Sequence, residues 1–152
     1  MSEETPKTEE TPKDKPKTAG KCGMGAFDVL TKSTEGVKLP LFLPDGTATD
    51  EYLLVLGSDC KRFKKALSKF QNDRVQLANQ LKKDKISKQR YDSALEENES
   101  ILIASLVVGW SFPEDCNENN VVMFFESSPQ VQESVNVFAG ERTNFFEKPQ
   151  TD

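Results

Sequence analysis

Three acidic residues, Glu96, Glu97 and Glu99, are the sequence's closest approach to a general acid–base pair. Paired carboxylates can exchange a proton with a substrate, but neighbouring acids on a polar helical stretch are typical of a solvated surface. The chain contains no histidine, the commonest general base and a common metal ligand. We therefore expect a binding protein with no catalytic residue.

Patterns that would hold a phosphate or a metal are also missing from the sequence. Gly23, Gly25 and Gly36 lack the spacing of a dinucleotide-binding or P-loop turn. The loop over residues 45–50 lacks the alternating oxygen ligands and the closing Glu of a calcium loop. The cysteines are odd in number and far apart: Cys22, Cys60 and Cys116. This predicts reduced thiols, no cofactor and no metal site.

Charge is distributed unevenly along the chain, whose net charge is −5. Residues 59–92 hold eleven Lys or Arg and four acids, whereas residues 93–152 hold two basic and eleven acidic side chains. The basic stretch 61–90 could bind nucleic acid, but it lacks the interleaved aromatics of a single-strand platform. We favour electrostatic pairing of this basic stretch with the acidic second half of the chain, within one subunit or between subunits, over nucleic-acid binding. The residues predicted for self-association are Lys61, Lys64, Lys65, Glu96 and Glu97.

The first half of the chain predicts a tail followed by a β-hairpin. Residues 3–14 repeat a Glu-Glu-Thr-Pro-Lys pattern, so residues 1–23 are predicted to be a disordered tail that acts as a spacer or a recruitment tether. In the hairpin region 24–58, strands are predicted over 37–43 and 52–56 around a turn at 44–47. Pro40 cannot donate to a ladder, which places its strand at an edge or at a bulge.

Two amphipathic helices are predicted next, within a helical domain over 59–148 that packs with the hairpin as one unit. Asp59 ends a turn that supplies an N-cap, and the apolar residues that follow have helical spacing: Phe63, Leu67, Phe70, Leu77 and Leu81. Ser87 caps the second helix, which becomes apolar on all sides over 101–108 and ends at Gly109. That apolar segment is predicted either to fill the core or to face another subunit.

Two shorter helices complete the prediction. Asn117 is an N-cap for a helix that runs through Ser127, and Ser128 with Pro129 starts another. This last helix is predicted to carry one apolar stripe past Gly140, where it bends or frays: Val131, Val135, Phe138, Phe145 and Phe146. The fold class is therefore mainly α with a small N-terminal β-hairpin. The longest apolar run, 101–110, is about half the roughly 20 residues that span a bilayer, so no membrane segment is expected.

The predicted hairpin and a series of short motifs after it resemble the pattern of a known family over roughly residues 37–146. These motifs are Gly57–Phe63, Gly109–Pro113, Asn120 and Val121 with Phe124, Pro129–Val131, Val137–Ala139, Arg142, Asn144 and Phe145. In these segments the chain resembles a tail assembly chaperone of long-tailed, siphovirus-type bacteriophages.

The resemblance implies a self-associating helical protein that keeps the tape-measure protein soluble until tail tube subunits polymerise around it. It also implies a longer, frameshifted form that reaches the tail tube protein. Such a chaperone acts in the cytoplasm of the infected bacterial host and is absent from the mature virion. The rival hypotheses are a nucleic-acid-binding accessory protein and a structural tail or connector subunit.

A chaperone of this kind needs apolar side chains at the surface of a charged body. The residues predicted to bind the partner are Trp110, Met123, Phe124, Phe125, Phe138, Phe145 and Phe146. The alternative is that the aromatics near the C-terminus close the core of the domain.

Overall fold

The chain is mainly α-helical and contains one small antiparallel sheet of three strands in order β1-β2-β3, which confirms the predicted fold class. A computed structural model describes residues 18 and 20–146. Most of the predicted disordered tail, 1–23, and the last two residues of the predicted helical domain, 59–148, lie outside this part of the chain.

The elements follow one another along the chain with short connections. A 3₁₀ turn at Met24–Phe27 and another at Arg142–Phe145 flank the rest. The helices are α1 (Leu30–Glu35), α2 (Lys61–Lys82), α3 (Lys88–Ala104), α4 (Glu118–Ser127) and α5 (Pro129–Gly140). The strands are β1 (Val37–Phe42), β2 (Ala48–Val55) and β3 (Val107–Trp110).

The predicted hairpin is formed by β1 and β2. In the turn between them, the Asp45 carboxylate accepts a hydrogen bond from the Thr47 amide at 2.9 Å, and Gly46 has a φ of +90°. β1 is an edge strand, and its register shifts between Pro40 and Phe42. Both positions predicted for the proline are therefore observed, because an edge strand with a bulge tolerates a residue without an amide hydrogen.

The prediction of helix through residue 108 was wrong. α3 ends at Ala104, and β3 pairs with β2 so that Gly109 lies opposite Leu54 and Trp110 opposite Leu53. Gly109 is thus a strand residue rather than a helix stop. Periodicity cannot assign a short apolar run, and the β-branched pair at 107 and 108 favours a strand once β2 offers an open edge.

Helices α2 and α3 pack against each other as an antiparallel hairpin. The N-cap of α2 is Cys60 rather than Asp59, since the Cys60 Sγ accepts from the Phe63 amide at 3.5 Å. The cap predicted at Ser87 is confirmed by a 3.1 Å bond from the Arg90 amide to its hydroxyl. No residue of α2 is buried, and its predicted apolar stripe is half-buried.

The last two helices begin where the sequence predicts. The Asn117 side chain accepts from the Asn120 amide at 2.9 Å at the start of α4. Pro129 occupies the first turn of α5, although the Ser128 hydroxyl makes no capping hydrogen bond. α5 ends at Gly140, so the predicted helix does not continue to Phe145 and Phe146.

One core joins the sheet to the helices. Its most completely buried apolar residues come from β2, the α3–β3 connection, α4 and α5: Leu53, Val55, Leu106, Val121, Phe125 and Val135. The apolar segment 101–108 contributes residues 102–104, 106 and 107 to the buried set. Within this subunit the segment therefore fills the core, the first of its two predicted environments.

Candidate partner-binding surface

The residues predicted to bind a partner divide by exposure. Met123 is 65% exposed and Phe146 42% exposed, whereas Trp110, Phe124 and Phe138 are half-buried.

Phe125 and Phe145 are each only 1% exposed, so in this structure neither offers its ring to a partner. Phe125 is buried because it lies one helical turn after the equally buried Val121, on the inner face of α4. Phe145 packs edge-to-face on Phe138 with ring centroids 5.6 Å apart. Both residues serve the core.

Three aromatic rings meet where β3 leaves the sheet and α4 passes by. Trp110 and Phe112 have ring centroids 5.3 Å apart, Phe112 and Phe124 are also 5.3 Å apart, and Trp110 and Phe124 are 6.2 Å apart. All three contacts are edge-to-face, an arrangement worth about 0.5–1.5 kcal/mol per pair. The Trp110 indole also donates to the Glu114 carbonyl at 2.6 Å. The rings are therefore held rigidly while remaining partly open to solvent.

We call Trp110, Phe112, Met123 and Phe124 the aromatic surface. Met123 precedes Phe124 on α4, and its flexible thioether can adapt to an irregular apolar partner. Sequence reasoning did not select Phe112, although it lies two residues after Trp110. That spacing puts two side chains on one face of an extended segment and could have identified it.

The predicted self-association residues are all exposed, but they form two separate groups. Lys61, Lys64 and Lys65 lie at the start of α2. Lys69 and Asp73 of α2 line one cavity together with Asn98 of α3. Glu96 and Glu97 precede Asn98 on α3, so they lie beyond this cavity, toward the α2–α3 connection. Within the described chain, no ion pair within 4 Å involves these five residues. The described structure therefore shows no pairing between the two groups within one subunit.

The acidic group belongs to a groove between α3 and the last two helices. Glu96, Glu97, Glu99 and Glu126 all line this groove, which has a volume of about 460 Å³. Across it, the Ser100 hydroxyl donates to the Gln132 side-chain carbonyl at 3.1 Å. Four carboxylates on one groove make this side of the protein attractive to cations.

The C-terminal turn is attached to the start of α2 by an ion pair between Arg142 and Asp59. The hydrogen bond from Arg142 holds the pKa of the Asp59 carboxyl below its ordinary value, and the same contact raises the pKa of Arg142. The Ser58 amide donates to the Ala139 carbonyl at 3.0 Å beside this pair. The end of α5 is thereby fixed against the β2–α2 connection.

No protein-family model, curated protein or solved structure matches this chain. The function of the surface is therefore inferred from its own residues and from the sequence resemblance.

The described residues contain no group of three or more acidic or thiol side chains that could hold a metal ion. Burial raises the pKa of the Cys116 thiol, which keeps it protonated near neutral pH, and Cys60 is buried at the N-cap of α2. No helix in 20–146 is long and apolar enough to cross a bilayer.

Proposed function

We propose that this chain is a tail assembly chaperone of a long-tailed bacteriophage, which binds the tape-measure protein and keeps it soluble during assembly of the tail tube. The aromatic surface is the observation that carries the proposal. It presents the exposed Met123 and three half-buried rings on a chain of which 30% of the residues are charged. Apolar side chains on a charged body are suited to covering the apolar stripes of another protein's helices.

Binding needs no chemical step in this mechanism. An apolar helix of the client lies across Met123 and the edges of Trp110, Phe112 and Phe124. Those rings already contact one another, so little side-chain freedom is lost when the client binds. Phe125 anchors α4 from the inside and supports the surface without contacting the client.

Several copies act together on one client. The basic group of one copy, Lys61, Lys64 and Lys65, contacts Glu96 and Glu97 of the next. Two different surfaces of the same subunit meet in such a contact, so repetition generates a ring or an open chain of subunits along the client.

The proposal also sets where the protein acts. It works in the cytoplasm of the infected bacterial host, and a longer frameshifted form reaches the tail tube protein. Mass spectrometry should detect both forms in infected cells and neither form in purified virions. Stoichiometric amounts in virions would instead identify a structural tail or connector subunit.

The decisive experiment is co-expression of the full chain with the tape-measure protein, with the soluble fraction of the client measured. Met123→Ser and Met123→Ser/Phe124→Ser should reduce that fraction several-fold. Val75→Ser is the matched control, since Val75 is an apolar residue of α2 that is 60% exposed and far from the aromatic surface in sequence. Circular dichroism verifies that each variant is folded. A client that stays equally soluble with folded Met123→Ser/Phe124→Ser would refute the proposal.

A further inference from the structure

A groove follows the first half of α2, between this helix and the rest of the domain. Three adjoining cavities of about 550, 350 and 150 Å³ compose it. The first two share Arg62 and Val108 in their linings, and the second and third share Ala66 and Lys69. From Lys61 to Asp73 the groove follows α2 for about 18 Å, the length of roughly three helical turns.

The floor of the groove is apolar. Ala104 and Val107 from the body of the domain line it, together with the half-buried Val108 and Ala66. Ala104 and Val107 are buried at the base of the groove, whereas Val108 and Ala66 stay half-exposed because α2 packs mainly on α3 and none of its own residues is buried. In the described sheet β3 has a strand on one side only, so its other edge has no strand partner.

One wall of the groove carries a row of positive charge. Arg62, Lys65 and Lys69 are spaced by three and four residues, which places them on one stripe of α2 over about 10 Å. All three are exposed, and none has an acid within 4 Å among residues 20–146. A second helix lying in the groove would match this row with carboxylates at the same spacing.

The lining disfavours a nucleic acid as the occupant. Glu118 lines the second and third cavities and Asp73 the third, so the positive row does not form the long continuous track that suits a phosphate backbone. The middle cavity has no aromatic side chain on which a base could stack. An apolar floor beside a basic wall is instead suited to a polypeptide helix.

We infer that this groove binds an amphipathic helix of another polypeptide. The apolar face of that helix covers Val108 and Ala66, above the buried Ala104 and Val107, and carboxylates along its edge contact Arg62, Lys65 and Lys69. The groove shares no lining residue with the aromatic surface, so this inference does not depend on client binding there. Lys61 and Lys65 line the groove and also belong to the basic group proposed for self-association, so the two contacts would compete.

The test uses the full chain and a fluorescent 18-residue helical peptide with leucines on one face and glutamates along one edge. A peptide of the same composition in scrambled order is its control. In fluorescence anisotropy at low salt, Arg62→Glu/Lys69→Glu should weaken binding at least about tenfold, because two attractive contacts become repulsive. Lys82→Glu/Lys83→Glu, which changes the net charge equally at the far end of α2, should bind as the unmodified protein does.

Amide chemical shifts locate the bound peptide. The inference expects changes at Ala66, Ala104 and Val107 and none at Met123. Equal affinity for the scrambled peptide, or shift changes confined to the aromatic surface, would overturn it. So would a single-stranded oligonucleotide that binds through Arg62 and Lys69 while the peptide does not. Shift changes in the groove caused by raising the protein concentration alone would assign it to a second copy of this chain.

Discussion

Arg142 holds Asp59 across 83 residues of sequence, with Nε 2.8 Å from one carboxylate oxygen and a terminal nitrogen 3.0 Å from the other. The two parallel hydrogen bonds match the planar guanidinium to the planar carboxylate. Asp59 precedes the N-cap of α2, and Arg142 begins the turn that carries the buried Phe145. The pair therefore fastens the end of the chain's last helix to the start of its longest one.

Replacement of Arg142 by Gln should lower stability modestly and in a pH-dependent way. The Asp59 pKa lies below its ordinary value of 3.8 because Arg142 donates to it. A carboxyl whose pKa is depressed on folding stabilises the protein above its unfolded pKa and loses that contribution as pH falls through the folded value. Urea midpoints of the two proteins should differ at pH 7 and converge as pH falls below 3.8. A constant difference would show that the pair contributes no pH-dependent stability.

Truncation of Phe125 should destabilise the protein strongly, whereas truncation of Met123, two residues earlier, should have little effect on stability. Phe125→Ala leaves a cavity in the core and should cost about 3–5 kcal/mol in the free energy of unfolding. Met123→Ala removes an exposed side chain and should change that free energy by about 0.5 kcal/mol or less. Chemical denaturation of both variants measures the contrast. Equal losses would mean that the two residues are not divided between core and surface.

Gly57 should not tolerate a methyl group. A Cβ there would lie 2.2 Å from the Ser33 hydroxyl oxygen and 3.1 Å from the Ser33 Cα, so α1 itself would have to move. Gly57→Ala should therefore destabilise the protein by about 1–3 kcal/mol, the usual cost of overpacking. Gly140→Ala is the control, because a Cβ at Gly140 meets nothing within 4 Å. Thermal unfolding that is equally affected by both variants would contradict the close approach of α1.

The proposed contact between the basic group of one copy and the acidic group of the next should be detectable with charge-reversal variants. Lys61→Glu/Lys64→Glu and Glu96→Lys/Glu97→Lys should each weaken self-association, and a mixture of the two variants should restore it, since opposite charges again face one another. Sedimentation velocity at low and high salt measures this, because exposed pairs are screened within about 10 Å at 0.1 M. Self-association unaffected by salt and by both variants would exclude these contacts.

The sequence predicts the local structure well where a short-range signal exists. The Asn117 cap and the turn before β2 depend on neighbouring residues alone, and the edge position of Pro40 is indicated by its missing amide hydrogen; all three are observed. β3 was missed because its identity depends on β2, which is distant in sequence. The split between the buried Phe125 and the half-buried Phe124 depends on how α4 is rotated against the core.

The candidate site was only partly predictable for the same reason. Trp110 and Phe124 were selected separately from sequence, and the structure shows that they are in contact. The groove along α2 gave no sequence signal, because it results from how α2 and the sheet edge are placed relative to each other.

The pairing of β2 with β3 has a consequence for how quickly the chain reaches its native state. The strands are separated by the segment 56–106, and closing so long a loop costs conformational entropy before any strand contact repays it. That segment is chiefly the α2–α3 hairpin, whose two helices are joined by the short connection 83–87. If the helical hairpin forms first, Ala66 and Ala104 come close together and the loop that must close to pair β2 with β3 becomes effectively shorter.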